Sequence, residues 1–236
     1  MGNLAENDLR ERWRGFVFAT IGGGDCCLCG RALAGEKHPL CAACAEDLPR
    51  HDDSACPRCA LPTACGEVCG DCRREPPAFD ATRAAFDYAF PLDVLVKRLK
   101  YGHRLAMADF FAAALGETPA VDLILPMPLH PRRLRERGFN QAVEIARPLA
   151  RAAALPLELA GVARVRDTPP QARLDLEARL ANLRDAFACR RRLDGLRVAV
   201  VDDVMTTGAS LDALARCLKE NGAKEVTNLV VARTPR

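Results

Sequence analysis

Aromatic residues are scarce in this chain: one Trp, two Tyr and nine Phe, 5% of 236 residues. With so few rings, base stacking is a minor resource, and any nucleic-acid binding is expected to be dominated by phosphate contacts of low sequence selectivity. Trp13, Tyr88, Tyr101 and Phe139 are the stacking candidates. Long apolar runs are also missing. No stretch approaches the roughly 20 residues that cross a bilayer. The N-terminal segment carries acids and bases throughout, and its apolar run around Phe16 to Ile21 is too short for a secretory h-region with a cleavage site. Export is therefore not expected, and neither is a disulfide framework, which needs an oxidising compartment. A cytoplasmic location follows as the expectation. Charge of one sign is not in excess either, since the net value is only +3. Clustering of arginines at 132–137 and 190–192 says more than that sum.

Cysteine, by contrast, is abundant and unevenly placed. Ten of the twelve lie between Cys26 and Cys72, and eight of these form Cys-x-x-Cys pairs: Cys26/Cys29, Cys41/Cys44, Cys56/Cys59 and Cys69/Cys72. Two such turns bring four thiolates to one tetrahedral zinc ion, so four pairs imply two Zn²⁺ ions. Grouping neighbours in sequence gives one site from Cys26, Cys29, Cys41 and Cys44 and another from Cys56, Cys59, Cys69 and Cys72; an interleaved grouping is the alternative. Sites closed by four sulfurs leave no position for a reacting water, so the metal is structural and supplies folding energy to a segment with little apolar core. Cys27 and Cys65 are surplus, and His38 and His51 are not needed as ligands. Cys189 and Cys217 stand outside this region, Cys217 beside the apolar face of the last helix.

The most informative stretch is Val198–Ser210, Val-Ala-Val-Val-Asp-Asp-Val-Met-Thr-Thr-Gly-Ala-Ser. Four small or β-branched apolar residues read as a buried parallel strand. Asp202 and Asp203 fall at its carboxyl end, where open α/β sheets bind ligands. Thr206, Thr207, Gly208, Ala209 and Ser210 then offer hydroxyls and unpaired N–H groups at a helix start whose positive dipole end favours an anion. The stretch resembles the motif for phosphoribosyl pyrophosphate (PRPP) in type I phosphoribosyltransferases. That resemblance implies that Asp202 and Asp203 hold the ribose 2′ and 3′ hydroxyls, and that Thr206 to Ser210 hold the 5′-phosphate. It also implies Mg²⁺ bound together with PRPP.

Around this motif, strands and helices alternate, which implies a parallel sheet with helices on both faces. Strands are expected at Ala85 to Phe90, Asp122 to Leu125, Val198 to Val201 and Val226 to Ala232. Helices are expected at Leu92 to Tyr101, Ala106 to Leu115, about Asn140 to Ala154, and Ser210 to Glu220, the last closed by Asn221-Gly222. Pro148 should kink or divide the third of these. The composition shifts near residues 73–80, so a cysteine-rich domain over 20–75 and an α/β domain over 80–236 are expected. Between strands, Arg132, Arg133, Arg135 and Arg137 form a loop suited to a polyanion, because guanidinium forks bind phosphate oxygens bidentately. These arginines and Lys100 are the candidates for holding pyrophosphate. No segment reads as a pocket for an acceptor base. His103 and His130 border basic loops, and Asp175, Glu177 and Asp185 belong to a charged stretch expected to form an exposed helix.

Arg137-Gly138-Phe139-Asn140-Gln141 after a Pro-x-Pro strand end, Leu99-Lys100-Tyr101 upstream, Thr168 with Gln171 and Leu174, then Arg179, Asn182 and Phe187, together with the cysteine pairs, look like the ComF family. The resemblance runs from Cys26 to the C-terminus. It implies a double zinc ribbon joined to a type I phosphoribosyltransferase-like domain. It also implies action in the cytoplasm on single-stranded DNA during natural transformation, with DNA-uptake or recombination proteins as further candidate partners. The alternative is an active Mg²⁺-dependent phosphoribosyltransferase, a pentosyl transferase with an unidentified acceptor.

Overall fold

The computed structural model describes residues 25–33, 39–101, 106–166 and 185–235. Two compact units divide between Leu48 and Pro49. In the first, a tight turn carries Cys26 and Cys29: the Cys26 N–H donates to Arg31 O at 2.7 Å and Gly30 N–H to Cys26 O at 3.0 Å. Helix α1 (Ala42–Glu46) follows, with Cys41 at its N-cap and Cys44 buried within it.

The second unit opens with the same construction. The Cys56 N–H donates to Leu61 O and Ala60 N–H to Cys56 O, both at 2.8 Å. Helix α2 (Gly70–Arg74) then starts at Cys69. Where the first turn has Gly30 at φ +71°, the second has Ala60 at φ +56°. A left-handed conformation costs an L-residue about 1–2 kcal/mol, and glycine's greater freedom in the unfolded chain returns part of that. Ala60→Gly is therefore expected to stabilise the zinc-loaded protein by about 0.5–1 kcal/mol, or roughly 1–4 °C in thermal unfolding; a lowered midpoint would refute it.

Beyond residue 80 the chain forms β1 (Ala81–Asp87), α3 (Leu92–Tyr101), α4 (Ala106–Ala114), β2 (Leu123–Pro126), α5 (Pro131–Arg137), α6 (Gln141–Ala152), β3 (Val162–Arg164), β4 (Phe187–Cys189), β5 (Arg197–Met205), α7 (Ala209–Glu220) and β6 (Glu225–Arg233). The main sheet has the order β1-β6-β5-β2, and every pairing in it is parallel. Its two inner strands are nine residues each, contain no Gly or Pro, and are buried for most of their length. At the start of β2 and β5, Asp122 accepts from the Arg197 N–H at 2.8 Å and from its guanidinium at 2.9 and 3.2 Å. The guanidinium holds the Asp122 carboxyl down at about 2.

Strand alternation sorts the core into two layers. Leu123, Leu125, Val198, Val200, Val226 and Val230 pack with Leu211, Leu214, Ala215 and Leu218 of α7. Ile124, Ala199, Val201, Leu229 and Val231 are equally buried and point to the other face, where α6 packs on β2 and β5 and α4 packs on α6. Leu92, Leu95, Val96 and Leu99 of α3 are buried, as their spacing requires. The first layer also contains Cys56, Cys59, Leu61, Cys72 and Phe79. The second cysteine cluster is thus part of the sheet's own core.

Several elements depart from the expectations. Strand β1 starts at Ala81 and ends at Asp87, because Asp80 anchors its entry by accepting from the Val226 N–H at 2.8 Å, and the Pro91 that follows Phe90 cannot extend a ladder. Helix α6 is not divided by Pro148. The half-buried proline follows exposed Arg147 and lies one turn beyond half-buried Glu144, on the outer side where water can serve the Glu144 carbonyl it leaves unbonded. The arginine-rich segment is a helix, α5, rather than a loop. Pro131 sits at its first position, His130 Nδ1 accepts from the Arg132 N–H at 3.3 Å, and Gly138 closes it at φ +79°. Thr168, Gln171, Leu174, Asp175, Glu177, Arg179 and Asn182 lie outside the described residues, as do Trp13, His38 and His103.

Candidate functional site

Strand β5 outruns its neighbour β2. The last β2 pairing is Pro126 with Val201, whereas pairing with β6 continues through Asp202–Val230 to Met205–Arg233. Asp202 and Asp203 therefore stand at the carboxyl edge with no β2 residue beside them, and both are half-buried. The Asp202 carboxylate accepts from the Asp203 N–H at 2.9 Å. Gly208 then turns the chain at φ +83° at the N-cap of α7, and Thr207 Oγ1 accepts from the Ala209 N–H at 3.4 Å. The left-handed backbone is what favours glycine here, and a Cβ at Gly208 would in addition have to displace the Met205 methyl, 2.6 Å away. Beyond Ala209, the first turn of α7 presents backbone N–H groups and the positive end of a twelve-residue dipole.

A cleft of about 110 Å³ lies beside this edge, lined by Met127, Leu129, Arg137, Asn140, Gln141, Arg164, Asp202, Asp203 and Ser210 among others. The α5–α6 corner builds its far wall. Asn140 caps α6 by accepting from the Ala142 N–H at 3.0 Å, and its amide donates to Met127 O at 3.0 Å. Arg137 donates to Gln141 Oε1 at 3.1 Å. An arginine only donates, so this bond fixes which end of the Gln141 amide faces it. The opposite end, Nε2, is buried without a hydrogen-bond partner among the described residues, on a side chain that lines the cleft. Arg164 enters from β3, its guanidinium 5.6 Å from the centroid of Phe187 on β4.

Of the four arginines singled out in the sequence, Arg137 lines the cleft. Arg132 pairs with Glu136 at 3.0 Å on the exposed face of α5, and Arg135 is exposed. Lys100 occupies the last turn of α3, and its side chain lies outside the described residues. Arg191 and Arg192 are engaged with Glu158 and Asp194 at 2.5 and 2.9 Å. Sequence reasoning gave Gln141 no role and passed over Arg164. The first was in view within Arg-Gly-Phe-Asn-Gln; the second lies on a three-residue strand with no readable period.

The eight paired cysteines form two clusters, Cys26, Cys29, Cys41 and Cys44, and Cys56, Cys59, Cys69 and Cys72, with all sulfurs of a cluster within 4.8 Å. Neighbours in sequence group together, and the interleaved alternative falls. Sulfurs at about 2.3 Å from a tetrahedral zinc lie about 3.8 Å apart, and Cys29–Cys41 and Cys59–Cys69 are both at 3.7 Å. The donor set and its spacing fit structural Zn²⁺. Burial opposes ionisation of Cys26 and Cys56, but converging N–H groups outweigh it and bring each thiol down to about 7. Burial and the neighbouring sulfurs push Cys44 and Cys72 up, a cost that a bound cation reverses. Cys27 is buried and Cys65 exposed, and both stand outside the clusters.

A parallel sheet whose acidic strand end runs through a Thr-Thr-Gly turn into a helix start, on a chain bearing two Cys₄ sites, defines a phosphoribosyltransferase-fold protein with a zinc ribbon. Residues 139–236 match the phosphoribosyl transferase domain and residues 19–73 the double zinc ribbon domain. The chain belongs to the ComF family. It is 34% identical over 222 residues to the DNA utilization protein YhgH of Salmonella typhi, covering 89% of this chain and 97% of that protein. Competence protein F of Haemophilus influenzae is 29% identical, covering 88% and 96%, and competence protein ComFC of Bacillus subtilis is 27% identical, covering 83% and 84%. Among the described residues, no helix is long and apolar enough to cross a membrane.

Proposed function

We propose that this protein binds PRPP, or a related sugar phosphate, with Mg²⁺ in the β5–α7 cleft, and acts in the cytoplasm on single-stranded DNA during DNA uptake. The observation that carries the ligand assignment is the pair of half-buried carboxylates at the end of β5, followed at once by the Gly208 turn into α7, with Asp202, Asp203 and Ser210 lining one cleft. Asp202 and Asp203 accept from the ribose hydroxyls, and the turn from Thr206 to Ser210 receives the 5′-phosphate. Arg137 and Arg164 meet the remaining anionic oxygens from the opposite wall. Mg²⁺ bound with PRPP would neutralise part of the pyrophosphate charge. The DNA assignment is supported by the relatives, which are named for competence and DNA utilization.

One observation favours a second reading, an active phosphoribosyltransferase with an unidentified acceptor. The buried Gln141 Nε2 offers a donor that a simple phosphate cradle does not need, and such a group discriminates by leaving itself unpaired when the wrong molecule binds. Released pyrophosphate would report turnover.

Calorimetric titration of the purified protein with PRPP and Mg²⁺, repeated with a short single-stranded DNA as competitor, tests the first reading. Saturable PRPP binding is expected; DNA binding with no PRPP heat would refute the sugar-phosphate assignment and leave a cradle for DNA phosphates. Within the same assay, Arg137→Ala should weaken PRPP about tenfold, one charge-assisted bond's worth. Arg135→Ala, on the exposed face of α5, should change it little.

A further inference from the structure

Arg233 ends β6 with only 1% of its surface exposed. Its guanidinium donates to backbone carbonyls from three places. Nε donates to Cys59 O at 2.8 Å, inside the turn that carries two ligands of the second Cys₄ site. The Nη1 group donates to Met205 O at 3.0 Å and to Thr206 O, the first residues of the turn below α7, and to Thr234 O at 3.0 Å. One rigid planar fork thus spans the metal-ligating turn and the phosphate-binding turn. Phe79 makes a second, independent bridge. It is packed in the same core as Cys56, Cys59, Cys72 and Met205, and its ring lies 3.9 Å from where a Gly208 Cβ would sit. The adjacent Ala78 N–H donates to Asp212 Oδ1 of α7 at 2.6 Å.

We propose, resting on the phosphate-binding reading of this turn, that Arg233 is a positioning residue through which metal in the second Cys₄ site and anion at the α7 start stabilise one another. Metal holds the Cys56–Leu61 turn in the shape that presents Cys59 O. Arg233, anchored there, fixes the carbonyls of Met205 and Thr206 and with them the direction of the following N–H groups. Linkage is reciprocal, so an anion bound at the turn raises the second site's affinity for metal by the factor through which the metal favours the anion, and slower release of that metal is the expected sign of it. The first Cys₄ site belongs to the other compact unit and serves as the internal control.

The test uses full-length, zinc-loaded protein. Zinc release to a chromophoric chelator is followed with and without PRPP and Mg²⁺, alongside calorimetric PRPP binding. PRPP is expected to slow one of two release phases on the order of tenfold and leave the other unchanged, within the usual range of coupling between sites. Arg233→Lys keeps the charge but cannot reach carbonyls on both sides. It should keep both zinc ions, lose the slowing, and bind PRPP on the order of tenfold more weakly. PRPP binding by the wild type with both release phases unaffected would overturn the coupling while leaving the ligand assignment intact. No PRPP binding by the wild type would overturn the ligand assignment, and the coupling with it. Retained slowing in Arg233→Lys would remove Arg233 from the pathway. Should that variant fail to fold, the wild-type release traces decide alone.

Discussion

Cys56→Ser/Cys59→Ser is expected to unfold the Pro49–Arg236 unit, whereas Cys26→Ser/Cys29→Ser is expected to remove one zinc and leave that unit folded. The two cysteine clusters are built alike, so the difference lies in what surrounds them. Cys56 and Cys59 are 1% and 8% exposed and belong to the layer formed by Leu125, Val198, Val200, Leu214 and Val230. Serine there loses a metal ligand and buries a hydroxyl in an apolar layer. Structural zinc contributes about 10–16 kcal/mol of binding free energy in small zinc-binding peptides, against about 5–15 kcal/mol for the whole stability of a domain. Losing even part of the first exceeds much of the second. The first cluster lies in a separate compact unit, so its loss should stay local. Zinc content by metal analysis and thermal unfolding by circular dichroism read both variants. A Cys56→Ser/Cys59→Ser protein that melts like the wild type would show that the sheet does not lean on this site.

The segments that could be read from the sequence were those whose information is local. Val198 to Val201 announce a buried strand by four apolar residues in a row, and Thr-Thr-Gly-Ala-Ser announces a turn into a helix by its small residues; β5 and α7 stand where these signals put them. Helix α3 was equally plain, since Leu92, Leu95, Val96 and Leu99 recur at helical spacing. In α5 the local signals existed, Pro131 at the start and Gly138 at the end, but the run of charge drew attention to ligand binding instead of helix caps. Strands β3 and β4 were missed for a different reason. At three residues each they are too short to show a period, and they exist because they pair with each other. The site divides in the same way. Its acids and phosphate turn are contiguous in sequence, whereas Arg164 and Arg233 acquire meaning only from partners tens of residues distant, and Gln141 only from the burial of its Nε2 beside the cleft. Arg233 is the clearest case, since nothing near it in sequence forecasts a buried guanidinium bonded to Cys59 O.

Asp202→Asn/Asp203→Asn should weaken PRPP binding by about two to four orders of magnitude without harming the fold. Hydrogen bonds to charged groups are worth about 1.5–3 kcal/mol each, so two carboxylates facing ribose hydroxyls supply about 3–6 kcal/mol, at about 1.4 kcal/mol per tenfold in affinity. Asparagine keeps a carbonyl oxygen, so residue 202 can still accept the Asp203 N–H now held at 2.9 Å. Replacing two adjacent carboxylates also removes a repulsion, and neither side chain is packed in the core. The thermal midpoint should therefore hold or rise while PRPP affinity falls. That opposite movement separates ligand recognition from misfolding. Wild-type affinity in the double variant would take the ribose away from β5's end and leave the turn from Thr206 to Ser210 as a bare anion cradle, equally suited to the phosphates of single-stranded DNA.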